Sequence, residues 1–167
     1  MSNDTTISIP LTQGYVTTID QIDLEVVTKK MQVRINKTSG PYALKNIRTP
    51  AGYRPARLHR IIMERMLGRQ LLLNELVDHI DGDGLNNCRA NLRLANHSLN
   101  GRNAKLRRDN KVGLKGVCWS KPAKRWRAYG KMNGKQVHLG YFDTPEEAHE
   151  AYQKYALANY GEFARLK

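Results

Sequence analysis

Asp78 and His79 stand side by side at the end of a short apolar run, Leu76-Val77, and the stretch from Val77 to Asn103 reads VDHIDGDGLNNCRANLRLANHSLNGRN. Amide side chains follow this carboxylate-imidazole pair at set intervals. Asn91 lies twelve residues after His79 and Asn100 nine after that, with Asn96 and His97 between them. A neutral imidazole, whose ordinary pKa is about 6.5, can take a proton from water near neutral pH. Asp and Asn oxygens are the ligands that a hard divalent cation such as Mg²⁺ accepts. A base and a Lewis acid are what hydrolysis of a phosphodiester needs: one deprotonates water, the other stabilises charge on the phosphate and the leaving 3′ oxygen.

Such groups must be positioned. Leu76-Val77 reads as a strand running into a Gly/Asp/Asn loop, Leu92 and Leu94 alternate with Arg93 as a returning strand, and Asn96 and Ser98 are helix-start residues. Strand, loop, strand and helix carrying a DH pair, Asn91 and Asn100 resemble the HNH nuclease motif. That family folds the motif as a two-stranded hairpin and a helix that pinch one divalent metal ion, which implies this geometry from Leu76 to about Lys105. Asn in the last position is a known variant of the pattern. The resemblance implies that His79 activates water, that Asp78 and Asn100 hold Mg²⁺ from hairpin and helix, and that Asn91 ties the loop to the second strand. Adjacent residues on a regular strand point to opposite faces, so Asp78 and His79 share a site only if the strand ends there, as the resemblance implies. His97, three residues before Asn100, would share its helix face; spacing favours Asn100. DGDGLNN also brushes against a calcium loop, but Leu85, Asn86 and Leu92 stand where that loop needs an oxygen ligand, Gly and Glu.

Charge points to a polyanion. The net charge of +13 is uneven: residues 1–57 hold eight basic residues against four acidic, 58–104 six against five, and 105–167 fourteen against six. Lys105 to Lys135 alone hold eleven basic residues and one acid, Asp109. A concentrated basic stripe is the footprint of a nucleic-acid binder. No run of 18 apolar residues occurs, and the N-terminal stretch lacks a basic start with an apolar core, so neither a membrane span nor secretion is expected. Cys88 and Cys118 stand alone without CxxC spacing, which encodes neither a zinc finger nor a disulfide framework. The expected setting is the cytoplasm of a bacterial or phage-infected host cell.

Around the motif the expected architecture is α+β: an N-terminal β-rich segment, the ββα-metal motif, and a three-stranded antiparallel sheet packed on one helix. Residues 1–104 form the first domain, 105–114 a basic linker and 115–167 the second. ISIPLTQGYVTTID reads as strands, Gln21 to Lys30 as a short helix, and Val33-Arg34-Ile35 with Tyr42-Ala43-Leu44 as a hairpin turning over Thr38 to Pro41. This segment either shelters the nuclease hairpin or carries Lys37, Lys45, Arg48, Arg54 and Arg57 to phosphate. Leu58 to Leu67 spaces Leu58, Ile61, Ile62, Arg65 and Met66 as one helical stripe, with Gly68 as its C-cap. His59-Arg60 resembles the HR pair preceding many HNH motifs, and His59 is read as structural. Arg107 and Arg108 in the linker are placed on DNA.

From Lys115 the pattern gives three strands and a helix. Val117 and Trp119 share a face; Trp126, Ala128, Gly130 and Met132 alternate with Arg125, Arg127, Tyr129 and Lys131; Asn133-Gly134 is a hairpin turn; Val137, Leu139 and Tyr141 point inward, Gln136 and His138 outward. Thr144-Pro-Glu-Glu147 is a capping box, opening a helix with Ala148, Ala151, Tyr152 and Tyr155 inward. KGVCW, RWRAYG, VHLGYFDTPEEAHEAY and ALANYGEFA resemble the DNA-binding domain of the plant Apetala/ethylene-response-factor family over roughly Gly113 to Lys167. That family lays its sheet in the DNA major groove. The resemblance implies contacts from Lys115, Ser120, Arg127, Tyr129, Lys131, Gln136 and His138, and Arg125 lies on the same strand face. Cys118, Ser120, Gln136 and His138 stand where the plant proteins carry Arg or Trp, so their sequence preference does not transfer. An HNH motif followed by this module is typical of phage and mobile-element homing endonucleases.

The reading is a metal-dependent endonuclease on double-stranded DNA. A DNA-binding regulator or architectural protein with an inactive HNH motif is the alternative, and a nuclease of structured RNA, or of DNA without sequence preference, a second. The sequence leaves the oligomeric state open, with a monomer favoured.

Overall fold

A computed structural model of the chain describes residues 5–27, 30–37, 39–96, 103, 106, 110–164 and 166. They form mixed α and β structure, with a β-rich N-terminal part, a helix at Leu58–Leu67 and a C-terminal three-stranded sheet carrying a helix. The chain divides into two compact units, residues 1–96 and 97–167.

In the first unit, β1 (Thr6–Pro10) pairs antiparallel with β2 (Val16–Asp20), Ile7 opposite Ile19 and Ile9 opposite Thr17. Ile9, Thr17 and Ile19 turn inward, as alternation requires. The helix expected over Gln21 to Lys30 is a tighter 3₁₀ turn, Gln21–Val26, which buries Asp23 and Val26. β3 (Gln32–Asn36), β4 (Gly40–Thr49) and β5 (Gly52–Arg57) form a sheet in that order. Pairing reaches Asn36 opposite Gly40 and Ile35 opposite Pro41, so Pro41 belongs to the strand rather than to the turn. β5 is not legible in the sequence because Pro50, Gly52 and Pro55 read as a break; as an edge strand it tolerates Pro55.

α1 (Leu58–Leu67) ends at Gly68, whose left-handed backbone (φ 65°) closes the helix as expected. Its inward face differs from the expected stripe. Leu58, His59, Ile62 and Met63 are buried, whereas Arg65 and Met66 are exposed. The helix is turned toward His59 because that ring packs on Tyr42 and His79. Burying aliphatic side chains such as Leu58 and Ile62 contributes about 1.5–3 kcal/mol each, which makes this helix the unit's central support. The hairpin β6 (Leu76–His79) and β7 (Leu92–Ala95) follows in the expected places. The helix expected after it, with Asn96 and Ser98 as start residues, falls largely outside the described residues.

In the second unit, β8 (Val117–Ser120), β9 (Arg125–Met132) and β10 (Lys135–Phe142) form an antiparallel sheet with β9 central. Val112 and Leu114, at the end of the segment read as linker, pack on its core with Val117, Ala128 and Ala148. α2 (Pro145–Tyr160) starts at the expected capping box, Glu147 N–H donating to Thr144 Oγ1 at 3.2 Å. Gly130 lets the helix lie close: a Cβ there would stand 2.2 Å from the Tyr155 ring. Tyr141, expected inward, is exposed. The register shifts between His138 and Gly140, and this bulge reverses the alternation, sending Tyr141 outward opposite Arg127 and Phe142 into the core.

Candidate active site and nucleic-acid interface

β6 ends at His79, where the chain turns into the loop, with Gly82 N–H donating to the His79 carbonyl at 2.9 Å. The imidazole is buried and held by a directed chain of hydrogen bonds. Thr17 Oγ1 donates to the Leu85 carbonyl (2.6 Å), Asn87 Nδ2 donates to Thr17 Oγ1 (2.7 Å), and Asn87 Oδ1 therefore faces His79 Nε2 (3.2 Å). An amide oxygen only accepts, so the proton of the neutral ring sits on Nε2 and the lone pair on Nδ1. Burial pushes the His79 pKa below its ordinary value, a shift opposed by Asn87 and by the Asp81, Asp78 and Asp83 carboxylates. The neutral, proton-accepting form is thus the resident one near neutral pH.

Two rings complete the setting. The centroid of His59 lies 4.9 Å from that of His79 at a right angle, and Tyr42 lies 5.5 Å from His59 and 6.1 Å from His79. His59 Nδ1 is buried without a hydrogen-bond partner. Burial first, then the charges of His79, Arg57 and Arg60, hold the His59 pKa well below its ordinary value.

Asn91 joins the two ends of the loop. Its Oδ1 accepts from Asp81 N–H (3.1 Å), while its Nδ2 donates to Asp81 Oδ1 (3.0 Å) and to the Asn86 carbonyl (2.8 Å). The turn carrying it is fixed from behind by Asp23, fully buried at 0% exposure, whose carboxylate accepts from Arg89 Nε and Nη2 (2.7 Å each) and from Arg65 Nε (3.1 Å). Burial acts to raise the Asp23 pKa, but Arg89 and Arg65 outweigh it and hold the carboxyl below its ordinary value. Arg89 N–H also donates to Asp20 Oδ2 at 2.6 Å. A Thr18–Asn86 bridge completes the support, so β2 and the turn after it buttress the loop.

Asp78 is buried opposite Arg93, whose Nε (3.0 Å) and Nη2 (2.8 Å) donate to its Oδ2. A carboxylate has two oxygens and several lone pairs, so this ion pair and a metal bond are compatible on one group. Among the described residues no three His, Cys, Asp or Glu side chains converge as a metal group. Asn100 and His97, the candidate ligands from the helix, lie outside the described residues, as do Arg107 and Arg108. The Asp78 carboxylate at the hairpin fits a hard divalent ion in donor type.

On the second unit, cross-strand pairing gathers Ser120 with Arg125, Cys118 with Arg127, Tyr129 with His138, and Lys131 with Gln136. These side chains share the sheet face opposite α2. Arg127 Nε donates to His138 Nδ1 (3.2 Å) and its Nη2 to Gln136 Oε1 (3.4 Å). Arg125 is paired with exposed Asp143. Tyr141 joins this face through the bulge. Lys115 lies apart from the strands, and its carbonyl meets His149 Nδ1 at 2.9 Å.

Asn87, Thr17, Tyr42 and Asp23 escape the sequence reading. The doubled Asn86-Asn87 is the one local signal for Asn87; the others reach the site only through tertiary structure.

A family model of HNH endonucleases matches residues 56–102, and one of the AP2 domain, the Apetala type, matches residues 112–162. The chain belongs to the HNH endonuclease family and carries an AP2 DNA-binding domain. It is similar to Protein 3.8 of Escherichia phage T7, at 38% identity over 91 residues that make up 54% of this chain and 74% of that protein. An uncharacterized HNH endonuclease of Acanthamoeba polyphaga mimivirus is 33% identical over 107 residues, 64% of this chain and 54% of the viral protein. No solved structure matches the chain. Among the described residues no helix is long and apolar enough to cross a membrane.

Proposed function

We propose that the chain is a metal-dependent endonuclease of the homing type, which nicks or cuts duplex DNA at the β6–β7 hairpin and holds it on the outer face of β8–β9–β10. The observation that carries this reading is the hydrogen-bond chain fixing the lone pair of His79 on Nδ1. In this role Nδ1 takes the proton from the attacking water. Asn91 keeps the loop, and with it His79, in place. Asp78 and Asn100 would hold the divalent ion, Mg²⁺ by donor type, as the resemblance to the HNH motif implies. When bound, that ion supplies positive charge to the scissile phosphate and the leaving oxygen. Ser120, Arg125, Arg127, Tyr129, Lys131, Gln136 and His138 face the DNA, with Lys115, Arg107 and Arg108 adding phosphate contacts.

One observation favours a regulator with an inert motif: Arg93 already neutralises Asp78. Incubation with supercoiled plasmid in Mg²⁺ and in EDTA separates the two. Nicked or linear product in Mg²⁺ alone supports the nuclease, whereas retarded but intact plasmid with Mg²⁺, Mn²⁺ and Ni²⁺ alike supports the regulator.

A further inference from the structure

The sheet β3–β4–β5 is free of acid: residues 31–57 contain six Lys or Arg and no Asp or Glu. Its register divides the charges between two faces. Arg34 stands opposite Tyr42, Arg57 opposite Leu44 and Arg48 opposite Tyr53, all on one face, while Lys45, two residues from core Ala43, and Arg54, opposite Ile47, fall on the other. Arg34, Arg48 and Arg57 are exposed, and among the described residues none of them is ion-paired. Arg34 and Arg48 in particular have no acidic partner among the described residues that would account for their charge within the fold. Tyr53, beside Arg48, is 74% exposed.

This face leads to the catalytic imidazole. Tyr42, at its inner end, touches the rings of His79 and His59, and the Arg57 guanidinium lies 5.1 Å from the Tyr42 centroid. Gly84 of the loop packs so tightly here that a Cβ would stand 2.7 Å from Tyr42 Cδ1, so loop and sheet face are joined through this ring. Outward from it, the rows of Arg57 and Arg48 are four residues apart along β4, about 14 Å at strand rise. That span matches about four axial steps of one DNA strand.

We propose that the Tyr42 face of β3–β4–β5 is a second DNA-binding surface, on which Arg34, Arg48 and Arg57 hold backbone phosphates of the duplex and lead the scissile strand to His79. It rests on the nuclease reading for its target, but it is tested by binding. In the full-length chain, Arg34→Gln/Arg48→Gln is compared with Lys45→Gln/Arg54→Gln, which removes equal charge from the opposite face. Affinity for a labelled duplex is measured by fluorescence anisotropy from about 50 to about 200 mM salt. The first pair is expected to reduce the slope of log K against log salt by about 2, at about 0.9 per lost phosphate contact, and the second pair by less than about 0.5. Arg48→Gln alone, at an exposed position whose loss leaves the thermal melt unchanged, is expected to reduce it by about 1. Equal reductions from both pairs, or none from the first, overturn the proposal. A wild-type chain that binds with the expected slopes yet never cuts overturns the nuclease reading alone.

Discussion

Around His79 the side chains are buried and bound to one another, whereas the outer face of β8–β9–β10 carries Lys131, Gln136 and His138 in the open. The difference matches the roles proposed for the two regions. Proton transfer needs one tautomer in one position, and only a directed network such as Thr17–Asn87–His79 supplies that. Holding a polyanion needs charge that can follow a backbone, and desolvating that charge would weaken it. In the proposed roles, the buried network lies where a proton would move and the exposed side chains where phosphate would be held.

The contrast breaks most sharply at Asp23. Asp23→Leu leaves Arg65 and Arg89 without their buried partner, at a cost of about 3 kcal/mol, the lower end for such pairs because both arginines are part-exposed. Urea unfolding is expected to lose this from the transition of the HNH unit and nothing from that of the AP2 unit. Equal shifts in both transitions would mean that the units share their stability. Asn87→Leu is next, with cleavage expected to fall about 10–100-fold at unchanged DNA affinity. Nitrogen NMR of His79 in that variant should show a mixture of tautomers; a single unchanged tautomer would remove the role given to Asn87.

Acidity sharpens the same contrast. His59 is held well below its ordinary pKa by burial and by the neighbouring charges, so the unfolded chain takes up a proton near pH 6.5 that the folded unit refuses. Stability of the HNH unit should therefore fall as pH drops below about 6.5, until the folded group itself titrates. His59→Phe should reduce that slope, leaving the smaller part that His79 contributes, as read from urea midpoints at several pH values. On the open face, Arg127→Gln is expected to weaken binding by about 1–3 kcal/mol and to relax discrimination between duplex sequences, as read from affinities for a panel of duplexes; uniform weakening across the panel would make Arg127 a phosphate contact. The smallest effect is expected from Tyr160→Phe, whose lost hydroxyl bonds Lys131 N–H (2.7 Å) and the Lys131 carbonyl (3.0 Å). About 1 kcal/mol should leave the AP2 unit's transition, with DNA affinity nearly unchanged.

Local chemistry made much of this legible in advance. Asn133-Gly134, the Thr144–Glu147 box and Gly68 each specify their turn or cap through their own backbone needs. The β6–β7 hairpin was readable from Leu92 and Leu94 alternating with Arg93. What escaped depends on partners far along the chain. Thr17 meets Asn87 across seventy residues, and Asp23 meets Arg89 across sixty-six. Tyr141 faces outward because of one bulge that alternation cannot announce. α1 turned His59 inward, against its polarity, because Tyr42 and His79 offered it aromatic surfaces.

The most direct measurement sets His79→Ala beside wild type on one DNA substrate, recording single-turnover cleavage in Mg²⁺ and gel retardation in EDTA. Loss of about 10²–10⁴-fold in cleavage at unchanged retardation is the expected result, because the base is lost and the binding faces are not. A variant that cuts at the wild-type rate would contradict the assignment of His79 as the base.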